Sequence, residues 1–136
     1  MERERIFITQ NDLESLRNAI HEAENSGYRS SVYIKLLKEE LDRATIVSPE
    51  EIPADVITMK STVMLTDLDN REQMQLTLCY PQDARQEDHV SVLAPIGTAM
   101  LGYREGDEFV WDTPSGKAHL RVDKVLYQPE ATGNFD

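Results

Sequence analysis

The chain has 136 residues, 40% of them hydrophobic, which suits one ordinary domain or a small domain with an appendage, and no apolar run is long enough to span a bilayer. The formal net charge is −11: residues 1–47 carry seven basic and nine acidic side chains (net −2), and residues 48–136 carry seven and sixteen (net −9). Such a surface repels a phosphate backbone, and no basic patch interleaved with aromatics offsets it, which excludes direct sequence-specific nucleic-acid binding and suits docking on a basic protein surface. Arg3 and Arg5 precede no apolar signal region, so a cytoplasmic location is expected. Cys79 is the single cysteine, so no intramolecular disulfide forms, and its apolar surroundings, Leu76 to Tyr80, read as core.

In chain order, Ile6-Phe7-Ile8 is a short apolar run ending at Thr9, which can cap a helix, with Asp12 three residues on as in a capping box. Leu13, Leu16, Ile20 and Ala23 then repeat at three and four residues, a narrow seam of coiled-coil type. Asn25-Ser26-Gly27 breaks the helix. After Tyr28-Arg29, Ser30 or Ser31 can cap a second helix, whose seam is Ile34, Leu37, Leu41 and Ala44. Two narrow seams and a short loop predict an antiparallel helical hairpin over residues 1–47. Ser48-Pro49-Glu50-Glu51 is a helix start cut off by Pro53, and reads as the joint to a second unit, residues 48–136.

Beyond the joint, Val56 to Leu65 reads as a strand, Asp67-Leu68-Asp69-Asn70 as a turn, and Gln73 to Tyr80 as a second strand with Met74, Leu76 and Leu78 on one face. Val90 to Ala94 alternates as a strand until Pro95 blocks the ladder and opens a short helix that Gly102 closes. Gly106-Asp107 turns the chain into Phe109–Trp111, Thr113-Pro114-Ser115-Gly116 turns it back, and Lys117 to Tyr127 closes the sheet. Five strands and one short helix predict an antiparallel α+β domain.

The residues offer little chemistry. His21, His89 and His119 are scattered and no His or Cys spacing suits a metal, so neither metal nor cofactor is expected. Gly97, Gly102 and Gly106 do not form a phosphate-cradling loop, no serine sits in a nucleophile elbow, and Glu50-Glu51 and Asp107-Glu108 read as a cap and a solvent turn. No catalytic residue is assigned.

One motif is more specific. Pro95, Gly97, Ala99, Leu101, Gly102, Gly106, Asp107, Pro114 and Gly116 match the pattern of the C-terminal domain of the Gre transcript cleavage factors, and Ser48 to Met59 with Tyr127-Gln-Pro-Glu-Ala resembles a Gre-related branch named for regulating nucleoside diphosphate kinase. The resemblance implies an FKBP-like antiparallel sheet domain behind a short coiled-coil hairpin. It also implies a monomeric, non-enzymatic bacterial transcription regulator that binds RNA polymerase at the rim of the secondary channel, competes with Gre factors and affects nucleoside diphosphate kinase levels. By the same resemblance the polymerase contact falls on Leu93, Ala94, Pro95 and Ile96, where Gre factors carry Asp-Ser-Pro and this chain keeps the proline alone.

Gre factors hold a magnesium ion with two acids at the hairpin tip. The tip here, Asn25, Ser26, Gly27, Tyr28 and Arg29, contains no acid. The first helix, at 1.5 Å per residue, spans only about 22 Å, roughly half the reach of a Gre hairpin. Two further readings stand behind this one: a factor that stimulates transcript cleavage, and a peptidyl-prolyl isomerase or chaperone of the FKBP kind, for which the second unit has few aromatics to line a pocket.

Overall fold

The computed structural model describes residues 6–28, 32–113 and 116–133. A short strand, β1 (Phe7–Thr9), runs directly into helix α1 (Gln10–Ala23). Thr9 makes the change possible: its backbone is extended while its hydroxyl accepts the Asp12 N–H at 3.1 Å, satisfying a donor that the helix start leaves open. α1 passes without a break into a π-helical turn, Glu24–Tyr28, so the stretch that reads as a loop is helical. Arg29 and the candidate caps Ser30 and Ser31 lie outside the described residues. Helix α2 (Val32–Arg43) follows and packs on α1, and β2 (Thr45–Val47) pairs in parallel with β1. The seams face inward: Leu16, Ile20 and Ala23 of α1 and Ile34, Leu37 and Leu41 of α2 are buried.

At the joint, the Ser48 N–H and hydroxyl both donate to Glu51 Oε1, at 3.3 and 2.8 Å. These bonds hold the Glu51 carboxyl below its ordinary range. The expected strand from Val56 does not form. Val56 bridges Arg104, Thr58 to Ser61 form a turn, and the strand begins at Thr62. From there β3 (Thr62–Asp67), β4 (Gln73–Cys79), β5 (His89–Ser91), β6 (Glu108–Thr113) and β7 (Gly116–Tyr127) form one sheet in the order β5-β4-β3-β7-β6. Helix α3 (Pro95–Met100) lies between β5 and β6 in the chain.

This architecture corrects the expected fold class, an N-terminal coiled-coil hairpin followed by an FKBP-like antiparallel sheet. The five-stranded sheet is mixed, because β5 runs parallel to β4 while the other pairs are antiparallel. The polar segment between Cys79 and His89, which includes a 3₁₀ turn at Pro81–Asp83, brings the chain back before β5 pairs. Period-two alternation reports which face is buried and carries no information on strand direction. The helices are not a self-contained coiled coil either. Their buried residues belong to one cluster with Val63, Leu65, Leu78, Val92, Met100, Leu101, Leu120 and Val122 of the sheet and α3.

Ile6 is part of the link. Gly102 has φ +84°, and a Cβ there would lie 2.5 Å from the Ile6 Cβ, so the glycine serves both the left-handed turn after α3 and the docking of β1's flank. Gly102→Ala is expected to cost about 1–3 kcal/mol in urea unfolding, since it adds backbone strain to overpacking. A Gly106→Ala change, at φ +93° with nothing within 4 Å of the added carbon, isolates the strain component.

Candidate partner-docking site

The four residues expected to contact a partner sit where β5 ends and α3 begins, and their geometry comes from side chains on both sides. Val92 is fully buried and donates its N–H to the Cys79 carbonyl at 2.9 Å, pinning the end of the strand. The chain then turns. Ser91 Oγ accepts the Leu93 N–H at 3.0 Å and the Ser91 carbonyl accepts the Ala94 N–H at 3.0 Å. Ala94 holds an extended backbone as the helix cap, without a side-chain cap, and Pro95 begins α3. Leu93, Ala94 and Pro95 are half-buried at the surface, whereas Ile96 is buried in the core cluster. The structure therefore presents three of the four residues as a small apolar knuckle and places the fourth beneath it.

At the other end of the chain's helical part, Asn25 and Ser26 are exposed, and Asn25 Nδ2 lies 3.2 Å from His21 Nε2. Glu24, the acid nearest the tip, is 3.0 Å from Lys38 Nζ, so its charge is already countered within the protein. Gly27 and Tyr28 complete the π-helical turn. Fourteen α-helical and five π-helical residues give this rod a reach under ~30 Å.

His89 Nδ1 lies 2.9 Å from Asp88 Oδ1, which holds the Asp88 carboxyl below its ordinary range. Burial pushes the Cys79 thiol up, disfavouring the reactive thiolate. Among the described residues no three His, Cys, Asp or Glu side chains converge as metal ligands, and no helix is long and apolar enough to cross a membrane. An open hollow of about 500 Å³ is lined by Thr66, Leu68, Arg71, Gln73 and Arg121, with Arg121 Nε 2.8 Å from Asp123 Oδ1.

One important side chain is invisible to sequence reasoning. Asp12, which reads as a helix-capping acid, also accepts the Met59 N–H at 3.1 Å and so ties α1 to the segment entering β3. Burial pushes its carboxyl up to about 7, against the lowering effect of the Met59 N–H; the nearby charge of Glu130 adds to the rise, and Thr9 and Lys60 oppose it. Glu130 itself accepts from the Thr58 hydroxyl at 2.8 Å. The only signal in the sequence is an acid where the capping pattern puts one, and that signal is fully used by the cap.

Comparison with known proteins places these features in a family. Residues 52–127 match the family described as "Transcription elongation factor, GreA/GreB, C-term". The chain is 42% identical over 137 residues to the regulator of nucleoside diphosphate kinase of Escherichia coli K12, covering 99% of this chain and 98% of that protein. It is 30% identical to the transcription elongation factor GreA of Nitratidesulfovibrio vulgaris strain DP4, covering 77% and 70%. Among solved structures, the GreA/GreB transcription elongation factor of Nitrosomonas europaea superposes with a TM-score of 0.77 at 37% identity, covering 92% of this chain and 100% of that one. The mixed sheet and its packed helices are thus a GreA/GreB-like fold, and this chain belongs to the GreA/GreB family of transcription factors.

Proposed function

We propose that this protein is a non-catalytic transcription regulator that docks on RNA polymerase at the rim of the secondary channel, competes there with Gre factors, and thereby affects nucleoside diphosphate kinase levels. The observation that carries this reading is the knuckle Leu93-Ala94-Pro95, which offers apolar side chains at the position where Gre factors dock through Asp-Ser-Pro. Residues 48–136 supply the contact and most of the negative charge, and residues 1–47 occlude the entrance. A direct role in transcript cleavage finds no support in the tip, where Asn25, Ser26, Gly27 and Tyr28 carry no acid and Glu24 is paired with Lys38.

The test is a transcript-cleavage assay on backtracked elongation complexes. The protein alone is expected to leave RNA hydrolysis at its unassisted rate and, in excess, to slow Gre-driven hydrolysis by competition. Retention on core polymerase is expected to weaken as salt rises, because residues 48–136 carry a net charge of −9. Strong stimulation by this protein alone would make it a cleavage factor. Failure to bind core polymerase at low ionic strength, together with no effect on the Gre-driven reaction, would remove the docking reading.

A further inference from the structure

Helix α3 starts without the side-chain cap that usually satisfies its first N–H groups, and its cap residue is an alanine. The turn that carries the knuckle is held in another way. The Thr98 hydroxyl, on the first turn of α3, donates back to the Val92 carbonyl at 2.6 Å, and the Thr98 N–H donates to the Ala94 carbonyl at 2.9 Å. From the strand side, Ser91 receives the Leu93 and Ala94 N–H groups. These four bonds bracket Leu93-Ala94-Pro95 at both ends.

The packing leaves the turn no slack. A Cβ at Gly97 would lie 1.9 Å from the Ser91 carbonyl oxygen, so α3 rests directly on the end of β5. Thr98 is only 5% exposed and cannot itself touch a partner, yet its hydroxyl ties down the residue next to Leu93, among fully buried neighbours such as Val92 and Met100. A hydrogen bond in such surroundings is stronger than in water, and leaving the Val92 carbonyl without it is correspondingly unfavourable.

We infer that Thr98, assisted by Ser91, is the positioning residue of the docking knuckle, fixing Leu93 and Pro95 in the conformation that fits an apolar cleft on the polymerase rim. The inference rests on the docking reading above. Its physical basis is preorganisation: a loop ordered before binding loses less conformational entropy when it docks. Leu93, Ala94 and Pro95 carry no charge and so select an apolar cleft rather than a basic one, which makes their share of the affinity insensitive to salt even though the contribution of the net charge of −9 over residues 48–136 is not.

The experiment measures the affinity of full-length variants for core RNA polymerase, at a temperature where amide exchange shows each variant to be native. Thr98→Val keeps the shape and removes the donor, and is expected to weaken binding about tenfold, while Thr98→Ser, which keeps the hydroxyl, stays within about twofold. Ser91→Ala, at a half-buried position that tolerates the change more easily, is expected to weaken binding about threefold. A merely structural role is separated by a double-mutant cycle. In a Leu93→Ala background, Thr98→Val should add less than about twofold, because its effect passes through Leu93.

Thr98→Val at wild-type affinity, or with its full effect in the Leu93→Ala background, overturns the positioning role. Leu93→Lys distinguishes this failure from a failure of the docking reading. If Leu93→Lys loses binding while Thr98→Val does not, only the positioning role falls; if Leu93→Lys binds normally, the knuckle is not the contact and both fall.

Discussion

Raising the pH from 5 to 8 is expected to destabilise the protein by about 1–3 kcal/mol through Asp12 alone, and Asp12→Asn is expected to abolish that loss. The sign follows from where the proton is held. In the unfolded chain the Asp12 carboxyl titrates near 3.8, and in the folded protein near 7. Between these values the native state keeps a proton that the unfolded state has released, so stability is fully present below about pH 4 and falls by about 1.4 kcal/mol per pH unit until the folded group ionises. Asp12 is half-buried, and water at its open side screens part of the effect, which is why the expected loss has a range.

Glu51 and Asp88, whose carboxyls are held below their ordinary range, act with the opposite sign: they support the fold above that range and lose the contribution only in more acidic solution. Their contribution changes mainly below pH 5, outside the interval over which Asp12 is compared. Asparagine keeps an oxygen that can accept the Met59 N–H, so the variant preserves the link while removing the charge that Glu130 opposes. Urea unfolding of both proteins at pH 5, 6, 7 and 8 measures the difference. Parallel stability curves would show that the Asp12 carboxyl is ionised throughout and well solvated.

The parts of this fold that were legible in the sequence are those where one residue type answers a local demand. Thr9 starts α1, Pro95 starts α3, Gly102 and Gly106 take positive φ, and the seams Leu16-Ile20-Ala23 and Ile34-Leu37-Leu41 mark the buried helix faces. Each of these follows from sterics, capping or periodicity within a few residues. What was not legible depends on pairing across the chain. The parallel β1–β2 pair is only three residues on each side, too short for alternation to register, so Thr45–Val47 gives no strand signal.

The direction of β5 is set by the segment before it rather than by its own residues. Val56 to Ser61 is β-branched enough to read as a strand, yet Val56 and Ile57 are spent on Arg104 and Tyr103 across the fold, and Thr58 turns onto Ser61. Within the proposed docking segment the sequence does not separate the inner side from the outer. Ile96 looks like its neighbour Leu93 in composition, and only the helix's rotation against the core buries one and leaves the other at the surface. Thr98 carried no signal at all, since its partner, the Val92 carbonyl, is a backbone atom.

Leu16→Ala is the most damaging single change expected, at about 3–5 kcal/mol. Leu16 is fully buried in α1 and shares a cluster with Ile34, Leu37 and Leu41 of α2, and the same cluster continues into the sheet and α3. With total stabilities of about 5–15 kcal/mol typical of such domains, the loss would remove from about a fifth to nearly all of the protein's stability. The mode of unfolding decides a further question. Links between residues on either side of Val47 include Ile6 on Gly102, the Asp12 carboxyl accepting the Met59 N–H, and α2 against α3.

Those links are expected to make the Leu16→Ala variant unfold in one transition, with protection of the β3, β4 and β7 amides lost together with that of α1 and α2. Loss of protection confined to residues 10–45, with the sheet still closed, would show instead that the division at residues 1–47 and 48–136 is a division of folding units. The two outcomes carry different consequences for the regulator. Under the docking proposed above, a helical part that melts alone can reorient at the channel, whereas one that shares its core with the sheet must enter or block it in the arrangement the fold gives it.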